Sequence, residues 1–121
     1  MPRTPRTGNR SRHLPAFLLL FLREGPAHGA ILKTRLDQLL PELGIEAGAI
    51  YRTLRDLDER GALVSTWQPS ESGQARRIYS LTEKGQAELA CWQADIRRRL
   101  RALQTFLDLY ERGGEHHESA G

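Results

Sequence analysis

The stretch from Glu46 to Arg60 constrains this chain more than any other. At 100° per residue, Ile50, Leu54 and Leu57 fall within a narrow wedge with Ala47 in line, and Gly61 follows as a stop. Gly48, Arg52, Arg55 and Glu59 fall on the opposite side, with Tyr51 on one flank and Ala49 and Asp56 on the other. A helix so divided must lay its apolar line on a core supplied by the rest of the chain. Two readings of its outer face stand side by side. Arg52 and Arg55 are solvated and paired with Asp56 and Glu59 at i,i+4, or they are long donors held out toward a polyanion. Periodicity alone favours the first. Gly48 costs roughly 0.5–1 kcal/mol relative to Ala in a helix, and either a close approach by a partner or a tight turn accounts for it.

The segments around it supply that core. Pro15 suits a first helical turn, so a helix is expected from there to Arg23, broken by Glu24-Gly25-Pro26. Ala27 to Leu40 reads as a second helix with Ile31, Leu32, Leu36, Leu39 and Leu40 as its stripe, ended by Pro41 and Gly44. After Gly61, Ala62 to Gln68 and Arg76 to Leu81 are rich in β-branched and aromatic types, with turn residues Pro69 to Gln74 between them. They read as a hairpin. Thr82 then looks like a cap, with Glu83 in the first turn. A long helix follows to about Glu111, carrying Leu89, Trp92, Ile96, Leu100, Leu103, Phe106, Leu107 and Tyr110 at steps near three and four. That is more apolar surface than a small core can cover, so these eight positions are expected to meet a second copy of the chain.

Length and charge narrow the classes further. The 121 residues allow one core with a helix or tail to spare. The net charge is only +3, but Arg3, Arg6, Arg10 and Arg12 cluster without an acid, and Arg76 and Arg77 form a second group. Local basic clusters suit a polyanionic partner. Residues 1–12 read as a flexible basic arm, 13–82 as the main domain, 83–112 as the long helix and 113–121 as a disordered tail. The apolar run Ala16 to Leu22 is far too short to span a bilayer and lacks a signal-peptide cleavage site, which places the protein in the cytoplasm. The lone Cys91 rules out an intramolecular disulfide framework. No nucleophile–base pair, phosphate-cradling loop or paired-carboxylate site stands out, so an enzyme is not expected, nor a metal or cofactor. His116-His117 reads as part of the tail.

Four runs together resemble one family. Leu18-Leu19-Leu20-Phe21-Leu22-Arg23-Glu24-Gly25-Pro26-Ala27-His28-Gly29 is similar to the opening of the PadR family of bacterial transcriptional regulators. So are Gly48-Ala49-Ile50-Tyr51-Arg52-Thr53-Leu54-Arg55-Asp56-Leu57, Gly61-Ala62-Leu63-Val64, and Arg76-Arg77-Ile78-Tyr79-Ser80-Leu81-Thr82-Glu83-Lys84-Gly85. The order and spacing agree over about residues 14–92. One departure is Ala30, where many relatives carry an aromatic. The resemblance implies a mainly α (α+β) winged helix-turn-helix with a two-stranded wing and a long C-terminal dimerisation helix. It implies a homodimeric repressor on a palindromic operator, with half-sites roughly 34 Å apart.

Carried over by position, Gly48, Ala49, Tyr51, Arg52 and Arg55 lie on a recognition helix, and Arg76 and Arg77 on the wing. Adjacent strand residues point to opposite faces, so one of those two arginines is expected to face DNA while the other braces the wing. Trp67 and Trp92 are the candidates for a small-molecule effector pocket, against the simpler reading as packing anchors. A protein-interaction adaptor on the same fold is the alternative function.

Overall fold

The computed structural model describes residues 12–69 and 71–120, with side chains as far as residue 113. The basic arm expected over residues 1–12 falls almost wholly outside that range. Three helices come first: α1 (Leu14–Arg23), α2 (Gly29–Leu39) and α3 (Ala47–Glu59). The two-residue strand β1 (Ala27–His28) precedes α2, and a 3-10 turn, Pro41–Leu43, follows it. Strands β2 (Leu63–Gln68) and β3 (Arg76–Leu81) form the hairpin, and α4 (Glu83–Ala120) closes the chain. The backbone of α4 thus continues past the end near Glu111 that the sequence suggests.

α1 and α2 both pack on α3, and the apolar wedge read from the sequence closes the core. Ile50, Leu54 and Leu57 are fully buried against Leu18, Leu19, Leu32, Leu36 and Leu63. Complete burial of one such side chain is worth about 1.5–3 kcal/mol relative to leaving it exposed. Two expected positions are corrected. Ala47 is exposed, because the helix only begins there and Ile45, just before it, enters the core instead. In α2 only Leu32 and Leu36 of the expected stripe are buried, whereas Ile31 and Leu39 are about half exposed. α2 is one layer of a small domain, and its neighbours cover a narrower face than five leucines and isoleucines would fill.

The hairpin is part of a three-stranded antiparallel sheet in the order β1-β3-β2. Ala27 pairs with Tyr79 and His28 with Ile78, so the first two residues of the expected second helix are strand. Such pairing across fifty residues leaves no local trace. On the other side of β3, Ser65 faces Tyr79 and Trp67 faces Arg77.

The start of α4 is fastened to the end of α3. The Thr82 hydroxyl accepts the Gly85 N–H at 3.0 Å, an N-cap bond, and its one proton goes to the Gly61 carbonyl at 2.6 Å or is shared with that of Ala62 at 2.9 Å. Gly85 lies so close to the chain that a Cβ there would stand 2.1 Å from the Ala62 carbonyl oxygen. Arg60 binds Glu88 through Nε, at 3.0 Å, and through Nη2, and this bond holds its pKa above the usual arginine value. These contacts explain why the first compact unit runs to Leu89 rather than ending at residue 82.

The second unit begins at Ala90 and is helix alone. Leu100, Leu103, Phe106, Leu107, Leu109 and Tyr110 stand exposed on it, Tyr110 at 73%. Phe106 and Tyr110 stack with centroids 6.3 Å apart. Leu89, Trp92 and Ile96, expected in the same interface, are half-buried. Among the described residues no helix is long and apolar enough to cross a membrane.

Candidate nucleic-acid interface

The outer face of α3 is bare. Gly48, Tyr51, Arg52 and Arg55 are exposed and Ala49 is partly so. Neither i,i+4 pair offered by the sequence forms: Arg52 does not reach Asp56, nor Arg55 Glu59, and among the described residues both guanidinium groups lack a hydrogen bond or ion pair. A solvated face of paired charges is therefore not what the helix presents. Gly48 sits in the first turn of α3 and is not among the glycines with positive φ, so a tight turn does not explain it. Its nearest side-chain neighbour is Arg52, whose Nη1 would lie 3.3 Å from a Cβ at that position. The Arg52 head thus folds back over the first turn. It shares a shallow surface hollow with Pro15, Ala49, Thr53, Asp56 and Arg60.

Tyr51 lies on the other flank, and its ring rests on Gly29 at the head of α2. A Cβ on Gly29 would fall 2.4 Å from Tyr51 Cε1, so this contact exists only with glycine there. Nothing in the α2 periodicity announces it.

The two wing arginines separate as the strand geometry requires. Arg77 is the brace. Its Nε donates to Ser65 Oγ at 2.9 Å and its Nη2 to Asp58 Oδ2 at 3.2 Å, while Ser65 Oγ donates to the same carboxylate oxygen at 2.5 Å. The guanidinium also lies 5.7 Å from the centre of the Trp67 ring and 5.8 Å from that of Tyr79. Asp58 belongs to the last turn of α3, so this network ties the hairpin to the helix. Burial pushes the Tyr79 phenol above its ordinary range, and the charge of Arg77 pulls it partly back.

Arg76 points away from that network, and its Nη1 lies 3.2 Å from His28 Nε2, which accepts the bond when the ring proton is on Nδ1. Sequence reasoning missed Asp58 and Ser65. Their signal is present only as a carboxylate and a hydroxyl seven residues apart, which is too common to single out.

A cleft of about 490 Å³ opens between α3 and the sheet, lined by His28, Gly29, Ala30, Tyr51, Arg55, Trp67 and Ala75 to Arg77 with Tyr79. Trp67 is 65% exposed at its rim. Trp92, its expected companion in an effector pocket, belongs to the second unit. Among the described residues no group of three or more His, Cys, Asp or Glu is placed to hold a metal ion.

A helix-turn-helix whose second helix bares small residues and arginines beside a braced β-wing defines a winged-helix DNA-binding regulator. Comparison with known proteins makes the assignment specific. The transcriptional regulator PadR-like family matches residues 18–91, and the chain belongs to that family.

Among solved structures, a PadR family transcriptional regulator from Eggerthella lenta is 29% identical, with a TM-score of 0.71 over 82% of this chain and 85% of that one. A protein described as a potential transcriptional factor is 32% identical, with a TM-score of 0.76 over 91% of this chain and 96% of its own. Bacillus subtilis PadR in complex with operator DNA shares the fold at 23% identity and a TM-score of 0.62, over 66% of this chain and 46% of that one. No curated protein sequence matches the chain.

Proposed function

We propose that the chain is a homodimeric repressor that inserts α3 into the major groove of a palindromic operator and lays the β2–β3 wing on the flanking backbone. The observation that carries this reading is the bare pair Arg52 and Arg55, two arginines on a firmly seated helix that have no hydrogen bond or ion pair among the described residues. Arginine with no internal partner on a helix of this kind suits base edges and phosphates, which offer the acceptors it lacks. The operator complex of the Bacillus subtilis relative supports the same partner class.

Homodimerisation is supported by the uncovered row from Leu100 to Tyr110, since exposed apolar patches of that extent mark interaction sites. Catalysis and effector binding form no part of the reading. Trp67 is already engaged by the Arg77 guanidinium, the anchoring role of an aromatic at a domain edge. Selection of duplexes from a random pool by the full-length protein tests the function. Enrichment of an inverted repeat, bound at physiological salt at least a thousandfold tighter than random duplex (the order usual for specific sites), is expected. Equal affinity for selected and random duplexes would leave the protein-adaptor alternative in its place.

A further inference from the structure

The two arginines of the recognition helix lie in different surroundings. Arg55 lines the cleft between α3 and the sheet, together with Arg76, Arg77 and His28. Arg52 does not. It lies on the opposite flank, over the first turn of α3.

We propose that the cleft is a seat for one backbone phosphate, gripped by Arg55 from the helix and Arg76 from the wing, and that base reading on α3 falls to Arg52. This rests on the DNA-binding reading above and divides its labour.

Three observations converge on an anion. The cleft lining holds three arginines and a histidine and no carboxylate. Of the arginines, Arg77 is neutralised by Asp58, whereas among the described residues Arg55 has no acidic partner and Arg76 is bonded to His28 rather than to an acid. The excess positive charge is therefore local and belongs to Arg55 and Arg76.

The cleft is also accessible. β1 ends at His28 opposite Ile78, so β3 continues through Arg77 and Arg76 with an uncovered edge beside the first turn of α2. Ala30, small and exposed at that turn, leaves the mouth open. A phosphodiester is a single charge with two free oxygens, which two guanidinium groups from different elements can each bind. The base edges meet the first turns of a recognition helix, where the Arg52 head is placed.

The test measures affinity for the selected duplex and for a random duplex of equal length, over a range of salt, with the full chain. Arg55→Ala and Arg76→Ala should each weaken both duplexes by the same factor and flatten the salt dependence. The double variant should lose about one phosphate's worth of slope per protomer rather than two, because both arginines hold the same group. Arg55→Lys, which keeps the charge, should retain most of the slope. Thermal melts of these variants should match the wild type, since neither arginine is paired to an acid among the described residues. Arg55→Ala that erases the preference for the selected duplex while leaving the slope intact would overturn the proposal, as would a double variant with unchanged slope. Wild-type protein unable to discriminate the duplexes at all would instead sink the DNA-binding reading beneath it.

Discussion

α3 and the second half of α4 are both amphipathic helices, yet one has its apolar line fully covered and the other has it in water. Ile50, Leu54 and Leu57 are at 0% exposure, whereas Leu100, Leu103 and Phe106 are each above 60%. The α3 stripe is matched by leucines of α1 and α2 within the same chain. Leu18, Leu19, Leu32, Leu36 and Leu63 are buried with the α3 stripe, whereas the α4 row stands exposed among the described residues. An apolar stripe therefore tells where contact is needed, and the inventory of the remaining core tells whether that contact lies inside the chain or outside it.

The largest effect is expected at the covered stripe. Leu54→Ala should cost roughly 2–5 kcal/mol, enough to unfold much of a small domain, as read by denaturant melts. Gly85→Ala should come close to it, because the new methyl would meet backbone rather than a movable side chain.

The uncovered row should behave in the opposite way. Leu100→Gln with Leu103→Gln should abolish association in sedimentation at micromolar concentration while leaving the melt of the winged-helix unit in place. A fall in that melt comparable to Leu54→Ala would show that the row is covered within the chain after all.

A smaller effect is expected where the wing meets α3. Asp58→Asn removes the charge from the bonds to Ser65 and Arg77 and should cost about 1 kcal/mol. Faster hydrogen exchange in β2 and β3, with α1 unaffected, would locate the loss. The smallest change is expected on the exposed side of α4. The hydrogen bond from Arg99, with the charge of Arg98, holds the Asp95 carboxyl below the usual carboxylate range. That contribution is present at neutral pH and fades as acid protonates the group. Because solvent reaches both partners, Asp95→Asn should leave the melting temperature at pH 7 within error.

Most of this architecture was legible because it is written in local patterns. The wedge of α3, the breaks at Gly25 and Gly61, the Thr82 cap and the two hairpin strands each follow from neighbours in sequence. What escaped depended on residues far apart in the chain. β1 is strand only because Tyr79 and Ile78 pass beside it. Ile31 and Leu39 looked buried because periodicity describes a face without saying how wide its cover is. The division of the wing arginines was foreseeable from strand parity, but which one braces depended on Asp58 arriving from α3. The separation of Arg52 from Arg55 was invisible in the helical wheel, where both share one face. Only the sheet beside α3 tells them apart.

Sequence recognition rests on the Arg52 guanidinium, which has no hydrogen bond or ion pair among the described residues. The ratio of affinities for the selected and random duplexes, measured for wild type and Arg52→Ala at one physiological salt concentration, tests this directly. The ratio should fall by one to two orders of magnitude in the variant, about 1–3 kcal/mol, with little change on random duplex. An Arg52→Ala protein that keeps the wild-type ratio would contradict it.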